Sequence, residues 1–301
     1  ERVYDSQSGV SAFVIDWISK ASAEQRAGRA GRTGEGFCYR LYSSAVYNDT
    51  FVDFYEPEVK RMPLESVVLS LKGIGIDRVI NFPFPSALSV EGLRRATSLL
   101  QVLGLLDEKE NVTEMGKIVK EFPLHPRLGK LLYLAQQAGL QEIGLSLVSS
   151  LSVGELFTDV KCDRSVFMNK DSDLLSYVQI VDTYRMAHSK KSVSMVEFCK
   201  QYGIKQQAFK EILMLRSQLC GIMKLPEVVP ARLPNPEELV TMRKIIAQCF
   251  VDNVARLVRK EEMGKYAKCG LRHAYMAAAC KEPVIIANVS FLYGQMPDYV
   301  V

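Results

Sequence analysis

The spacing of apolar residues changes twice along the 301-residue chain. Near the start, two short apolar runs flank the turn-forming residues 6–9, which predicts a β-hairpin over residues 3–15. From residue 64 to residue 250, apolar residues recur mainly at helical spacing. Beyond residue 254, short apolar runs alternate with turns. The pattern therefore predicts a short α/β segment, a long helical part and a β-rich end.

Capping signals locate several of the predicted helices. Ser194 and Glu197 form a capping box, and Asn235 followed by Pro236 marks another helix start. Further helices are predicted at residues 64–71, 89–103, 128–138, 142–151, 173–187 and 206–223. Strands are predicted at residues 37–42, 254–258, 267–270, 273–279 and 284–289, with a two-stranded wing at 105–113. The polar, poorly periodic residues 160–173 predict a surface loop.

Composition narrows the class of protein. Lysine and arginine number 38 against 34 acidic residues, a net charge of +4, so any nucleic-acid surface must be local. The seven cysteines include no CxxC pair, which argues against a zinc site and for reduced thiols. No run of 18 apolar residues and no signal peptide occurs, so we expect no membrane attachment. Because the chain opens on Glu1 rather than methionine, we expect it to be part of a longer protein.

A basic stretch at residues 25–32, QRAGRAGR, carries the clearest chemical signal. Ser22 with Gln25 has capping-box spacing, which predicts a helix from residue 23. On that helix Gln25, Arg29 and Arg32 would follow at i, i+4 and i+7 and share one face. Guanidinium forks match phosphate oxygens and stay charged, so this face predicts a polyphosphate site.

The small residues of this stretch favour ligand binding over a plain basic surface. Gly28 and Gly31 leave room for a backbone or ligand to approach closely. Each glycine costs a helix about 1 kcal/mol relative to alanine, which a solvated surface helix has no need to accept.

The run QRAGRAGR and its flanks, SKASAEQRAGRAGRTGEGFCYRLY, resemble motif VI of the DEAH-box RNA helicases and the strand that follows it. The resemblance implies that Arg29 and Arg32 act as arginine fingers on the γ-phosphate of ATP. It also implies that Gln25 places the phosphate or the attacking water, and that Gly28 lies at the nucleotide. For Arg26, ligand contact and an ion pair that anchors the helix both remain open.

The resemblance also implies a domain order. Residues 1–55 would be the C-terminal part of a second RecA-like α/β domain with its hairpin, and residues 56–125 a winged-helix domain. Residues 126–228 would form a helical ratchet domain, and residues 229–301 a β-rich OB-like barrel, complete or truncated. The expected fold is therefore an α/β remnant, then mostly α, then β.

The phosphate-gripping Gly-Lys loop and the DEAH box are absent from these residues. ATP and Mg2+ would thus be held mainly by a first RecA-like domain outside this chain. We expect the 301 residues alone not to hydrolyse ATP, although the full-length protein would be an RNA helicase coupled to ATP hydrolysis. A non-catalytic RNA- or protein-binding module of helicase ancestry is the alternative, and the upstream sequence decides between them.

A basic cluster near the end of the chain predicts single-stranded RNA binding by charge and stacking, with an ordinary solvated barrel rim as the alternative. Its members are Arg256, Arg259, Lys265, Lys268 and Arg272. Residues 15–20 and 198–203 resemble the ribosome-biogenesis branch of the family, which implies pre-rRNA or snoRNA partners, a protein activator and a nuclear, nucleolar location. Spliceosomal DEAH helicases share the architecture and remain the alternative branch.

Overall fold

The computed structural model describes residues 2–4, 11–13, 15–160, 162–190, 192–225, 232–259, 274–279, 281, 283–287, 290 and 292–301. The chain divides into two compact units, residues 1–99 and residues 100–301. Each unit is considered by itself below. Among the described helices, none is long and apolar enough to cross a bilayer.

The predicted hairpin is confirmed at the start of the first unit. Strand β1 (Arg2–Tyr4) pairs antiparallel with β2 (Ser11–Phe13), and Val3 lies opposite Ala12. The helices that follow in this unit are α1 (Lys20–Ala30), α2 (Ser44–Asp49), α3 (Glu65–Gly73) and α4 (Val90–Val102), whose last turn belongs to the second unit.

Helix α1 begins three residues earlier than predicted. Its N-cap is Ser19, whose hydroxyl accepts a hydrogen bond from the Ser22 N–H at 3.2 Å. The predicted capping role of Ser22 is therefore wrong, because Ser22 already lies within the first turn. Arg32 follows the C-cap residue Gly31, so its predicted place on the helix is wrong as well.

The strand predicted at residues 37–42 is not formed. Phe37, Tyr39 and Leu41 are 86%, 86% and 100% exposed, and no described strand pairs with this segment. An alternating apolar pattern becomes a strand only where a neighbouring strand accepts its backbone hydrogen bonds, and sequence alone does not supply that neighbour.

The predicted wing is reduced to a single β-bridge, between Leu106 and Val112. Gly104 ends α4 with a φ of +73°, a left-handed conformation that favours glycine. Helix α5 (Glu114–Val119), which the sequence analysis did not predict, follows the bridge. A Cβ at Gly116 would lie 2.3 Å from the carbonyl oxygen of Leu105, so α5 packs directly on the bridge segment.

Helix α7 lies at the centre of the second unit. The helices of this part are α6 (Pro126–Gln137), α7 (Gln141–Ser152), α8 (Asp173–Ser189), α9 (Met195–Tyr202), α10 (Gln206–Ile222) and α11 (Pro236–Cys249). All residues from Ile143 to Ser150 are buried, because α6, α8 and α10 pack around α7. The capping box of α9 is confirmed, as are the Asn235 cap and Pro236 start of α11.

The surface loop predicted at residues 160–173 is partly wrong. It contains a 3-10 turn, Ser165–Phe167, whose Phe167 side chain is 1% exposed. Phe167 packs on Tyr202, with ring centroids 4.7 Å apart, and thereby joins the core formed by α8, α9 and α10. A single aromatic residue in a polar run gives no periodic signal that would reveal this burial.

A small antiparallel sheet completes the second unit. Its strands are β3 (Ala255–Leu257), β4 (Tyr275–Ala277), β5 (Pro283–Val284) and β6 (Tyr299–Val300). Their order is β5-β4-β3-β6, with Arg256 opposite both Met276 and Tyr299. The first three lie at the predicted strands 254–258, 273–279 and 284–289, although each is shorter. The strand predicted at 267–270 lies outside the described residues.

Candidate functional site

The first turn of α1 is fixed to a later segment of the same unit. The N–H groups of Lys20 and Ala21 donate to the carbonyl oxygens of Val52 and Asp53 at 2.8 and 3.1 Å. Lys20 also forms an ion pair with the Asp53 carboxylate at 3.1 Å. These bonds satisfy N–H groups that every helix start leaves without intrahelical partners, so they define where α1 begins.

The middle of α1 is held by a cluster of three side chains, Glu24, Arg40 and Tyr47. Arg40 Nη2 and the Tyr47 hydroxyl both donate to Glu24 Oε1, at 2.7 and 3.0 Å. The Arg40 guanidinium lies 5.1 Å from the centre of the Tyr47 ring. The hydrogen bond from Arg40, followed by that from Tyr47, lowers the pKa of Glu24, which keeps the carboxylate ionised. The Glu24–Arg40–Tyr47 cluster therefore ties residues 40–47 to the helix.

The predicted site residues Gln25, Arg26 and Arg29 lie on α1, and Arg32 lies just beyond its C-cap. Gln25 and Arg29 lie one turn apart on the helix, and all of Gln25, Arg26, Arg29 and Arg32 are exposed. Within the described part of the chain, no hydrogen bond or ion pair engages these four side chains. The alternative of an anchoring ion pair for Arg26 thus finds no partner there.

The surface around these side chains is open. A Cβ added at Gly28 or Gly31 would meet no atom within 4 Å. Three guanidinium groups, which can only donate hydrogen bonds, and the Gln25 amide, whose NH2 group can also donate, suit the oxygens of a phosphate group. The chemistry of these residues therefore fits the terminal phosphate of ATP. In the described ranges, no group of three or more His, Cys, Asp or Glu residues could hold a metal ion.

The structure describes only part of the predicted RNA site. Arg256 lies on β3 and is half-buried, with Nη1 donating to the Leu257 carbonyl oxygen at 3.4 Å. Arg259 is exposed just beyond that strand. The other three members, Lys265, Lys268 and Arg272, lie outside the described residues. The basic cluster as a whole thus stays a prediction.

Sequence analysis missed a buried polar network in the core of the second unit. Arg216 on α10 and Arg185 on α8 both pair with the Glu142 carboxylate on α7, and Arg185 also pairs with Asp182 at 3.1 Å. Ser146 donates to Asp182 at 2.8 Å and accepts from Arg216 at 3.3 Å. Arg216 lies at helical spacing from the buried Phe209, Ile212 and Leu219, and this charge within an apolar stripe was the available signal.

Burial disfavours the charged forms of the groups in this network. It raises the pKa of Asp182, against the opposing effects of Ser146 and Arg185. Burial also lowers the pKa of Arg216, and repulsion from Arg185 is the second cause of this shift. Both shifts oppose the charged forms, as expected where water is excluded. The network joins α7, α8 and α10 through ion pairs and hydrogen bonds that share the same side chains.

Comparison with known proteins places the chain among RNA helicases. It is 37% identical over 339 residues to the probable ATP-dependent RNA helicase kurz of Drosophila melanogaster, covering 100% of this chain and 28% of that protein. The probable ATP-dependent RNA helicase DHX37 of Homo sapiens is 36% identical, with coverages of 100% and 29%. The probable ATP-dependent RNA helicase DHR1 of Saccharomyces cerevisiae is 34% identical, with coverages of 85% and 24%. No family model matches the chain.

The chain therefore belongs to the DEAH-box RNA helicases, the family whose motif VI its residues 25–32 resemble. The chain spans less than a third of the length of these curated relatives.

Proposed function

We propose that this chain belongs to an ATP-dependent RNA helicase and supplies its motif VI together with the domains that follow it. The observation that carries the proposal is that Gln25, Arg29 and Arg32 are exposed and have no partner among the described residues, while the start and middle of α1 are fixed by other contacts. The bonds at the start and middle of α1 fix the backbone that carries Gln25 and Arg29, and a fixed backbone reduces the rearrangement needed when an anion binds.

In this proposal, hydrolysis of ATP supplies the free energy for remodelling RNA. Arg29 and Arg32 neutralise the negative charge that spreads over the phosphoryl oxygens in the transition state. Gln25 orients the phosphate or the water, and Gly28 allows close backbone approach. Mg2+ and the other phosphates are held by a domain outside these residues. Arg26, which is exposed and unpartnered in the described chain, contacts the same anion from the adjacent face.

The remaining residues serve the RNA in this proposal. Residues 1–55 form the end of a RecA-like domain, 56–125 a winged helix, 126–228 a ratchet domain and 229–301 an OB-like domain. The order of α4, the Leu106–Val112 bridge, the helical core and the four-stranded antiparallel sheet supports this division. The basic cluster at the last domain would bind the phosphates of single-stranded RNA.

We further propose that the RNA is pre-ribosomal RNA or a snoRNA paired with it, handled in the nucleus or nucleolus with a protein activator. The resemblance of residues 15–20 and 198–203 to the ribosome-biogenesis branch supports this assignment, and the identity to DHX37 and DHR1, both probable ATP-dependent RNA helicases, is consistent with it.

Phosphate release and duplex unwinding by the full-length protein test the proposal. We expect RNA to stimulate ATP hydrolysis, and we expect Arg29→Lys to abolish most of this stimulation because an ammonium cannot reproduce the guanidinium fork. Arg94→Lys is the matched control, since Arg94 is also exposed and unpartnered among the described residues of the first unit but lies on α4. Hydrolysis that is indifferent to RNA, or equal in both variants, contradicts the proposal.

A further inference from the structure

The chain turns back onto α1 directly after Arg32, and Gly36 packs against the last residue of that helix. A Cβ at Gly36 would lie 2.0 Å from the carbonyl oxygen and 2.6 Å from the carbonyl carbon of Ala30. Real Cβ atoms do not approach other atoms closer than 3.0 Å. Because both contacted atoms belong to the backbone, no side-chain rotation could relieve the clash. Only glycine therefore permits the observed path.

The contacted residue lies between the two arginines of the proposed site. Ala30 is the last residue of α1, Arg29 precedes it, and Arg32 follows the C-cap Gly31. Any displacement of the Ala30 carbonyl, or of residues 31–36, must change the position of Arg32 relative to Arg29.

The turn cannot swing away from the helix to make room for a side chain at position 36. Four residues later, Arg40 donates to Glu24 in the middle of α1 at 2.7 Å, and Tyr47 donates to the same carboxylate oxygen. Residues 31–39 thus form a loop that is attached to α1 at both ends. A displacement at Gly36 either moves Arg32 or breaks the Glu24–Arg40–Tyr47 cluster.

We infer that Gly36 is a positioning residue that sets the separation of the Arg29 and Arg32 guanidinium groups. It acts on ATP hydrolysis through the backbone of Ala30, without contact with the nucleotide. The inference rests on the proposed function, in which those two arginines stabilise the transition state.

Gly34 offers a matched control two residues away in the same loop. A Cβ added at Gly34 would meet no atom within 4 Å, and its φ is not positive, so alanine fits there without strain. Both substitutions add one methyl group and restrict one backbone position. They differ in whether that methyl group meets the end of α1.

The kinetic test uses the full-length protein with saturating RNA. We expect Gly36→Ala to lower kcat by about 10- to 100-fold, the effect of misplacing a catalytic group by roughly 1 Å. The KM for ATP should change by less than about threefold, because the arginines act mainly in the transition state. Gly34→Ala should retain the wild-type kcat. A kcat of Gly36→Ala within about twofold of the wild type overturns the inference.

A double variant separates positioning from general damage. In an Arg32→Ala background, Gly36→Ala should lower kcat by no more than about twofold further, since the group that it misplaces is already gone. A full additional loss in that background would assign Gly36 a structural role only and would overturn the inference.

Nucleotide binding provides a readout that is independent of turnover. We expect Gly36→Ala to weaken binding of ADP–aluminium fluoride, which mimics the transition state, by about tenfold while binding of ADP is unchanged. Hydrogen–deuterium exchange of the nucleotide-free protein should show faster exchange confined to residues 28–40 in this variant. Equal losses of affinity for both nucleotides would overturn the inference.

Two further variants keep these outcomes interpretable. Normal turnover of Arg32→Ala alone would refute the proposed function, whereas an inactive Arg32→Ala beside an active Gly36→Ala would refute the inference alone. If Gly36→Ala lacks a cooperative unfolding transition, Arg40→Met replaces it, because it releases the loop at its other end without adding bulk. Arg40→Met should then lower kcat and weaken ADP–aluminium fluoride binding, and an unaltered kcat would overturn the inference.

Discussion

Two pairs of arginines, one pair in each unit, occupy opposite environments. Arg185 and Arg216 in the second unit are largely buried, and each pairs with a carboxylate. Arg29 and Arg32 in the first unit are exposed and have no partner within the described ranges. A buried guanidinium needs its carboxylate for the chain to fold, whereas an exposed unpartnered one contributes almost nothing to folding. The difference indicates that Arg29 and Arg32 are available for a ligand, and the predictions below test this contrast.

The largest effect is expected from Arg32→Ala in the full-length protein. Turnover should fall by roughly 10³-fold or more, because arginine fingers act on the transition state. The unfolding free energy should change by less than about 0.5 kcal/mol, as for other exposed sites. Phosphate release and chemical denaturation measure the two quantities. A large loss of stability would show that Arg32, like Arg216, contributes to folding, and would contradict the contrast.

The opposite result is expected for Glu142→Gln in the buried network. Removing this carboxylate takes away the acidic group that pairs with both Arg185 and Arg216, which should lower the unfolding free energy by about 3 kcal/mol. Urea denaturation of the protein measures the loss. Glu155→Gln is the control, because Glu155 pairs with Lys205 at 2.6 Å on the surface, and it should leave the unfolding free energy nearly unchanged.

An intermediate effect is expected from Asp252→Asn. Arg127 binds both oxygens of Asp252 and donates to the Cys249 carbonyl oxygen at 3.0 Å, which joins α6 to the end of α11. Burial raises the pKa of Asp252, but the hydrogen bonds and charge of Arg127 outweigh burial, so the pKa lies below its ordinary value of 3.8. Losing the charge should cost about 2 kcal/mol at pH 7.

The sign of this pKa shift makes the Asp252 prediction pH-dependent. A carboxyl group with a lowered pKa in the folded state contributes stability above its unfolded pKa and loses it as the pH falls through the folded pKa. The difference between the wild type and Asp252→Asn should therefore be constant near neutrality and shrink below about pH 4. Thermal unfolding across a pH series measures it, and a difference that grows in acid would contradict the assignment.

The smallest effect concerns the RNA cluster. If Arg256 and Arg259 each contact a phosphate, replacing both by alanine should reduce the salt dependence of single-stranded RNA binding by about 1.4 in the log–log slope. Sequence preference should stay slight, because backbone contacts carry no base information. Fluorescence anisotropy over a salt series measures the slope. The paired control, Arg78→Ala with Arg94→Ala, removes the same charge from exposed arginines of the first unit and should leave the slope unchanged.

The sequence predicted the local features that depend on neighbouring residues. The hairpin, the capping box at Ser194 and the start of α11 at Pro236 each follow from interactions within a few residues, and all three are present. The run QRAGRAGR could be identified for the same reason, since it is contiguous, and its role at a phosphate stays a prediction. The start of α1 was misplaced because its N–H groups bond to Val52 and Asp53, more than 30 residues away in the sequence.

Features that depend on distant partners escaped prediction. Residues 37–42 alternate like a strand but lack a described partner, and Phe167 is buried by Tyr202 across the core. Trp17, an aromatic residue of a kind usually buried, is 52% exposed although its ring lies 5.7 Å from that of Phe51. In each case, strand formation or burial depends on contacts with residues distant in the sequence, and no local pattern of residues predicts those contacts.

The exposed segment 37–42 also has a practical consequence for handling the polypeptide. It belongs to no described strand, and the apolar side chains of Phe37, Tyr39 and Leu41 are exposed to solvent. Unpaired β-prone segments of this kind template strand pairing between molecules and seed aggregation. Preparations of the isolated 301 residues should therefore self-associate as the concentration rises, and charged substitutions at Tyr39 and Leu41 should keep them monodisperse in light scattering.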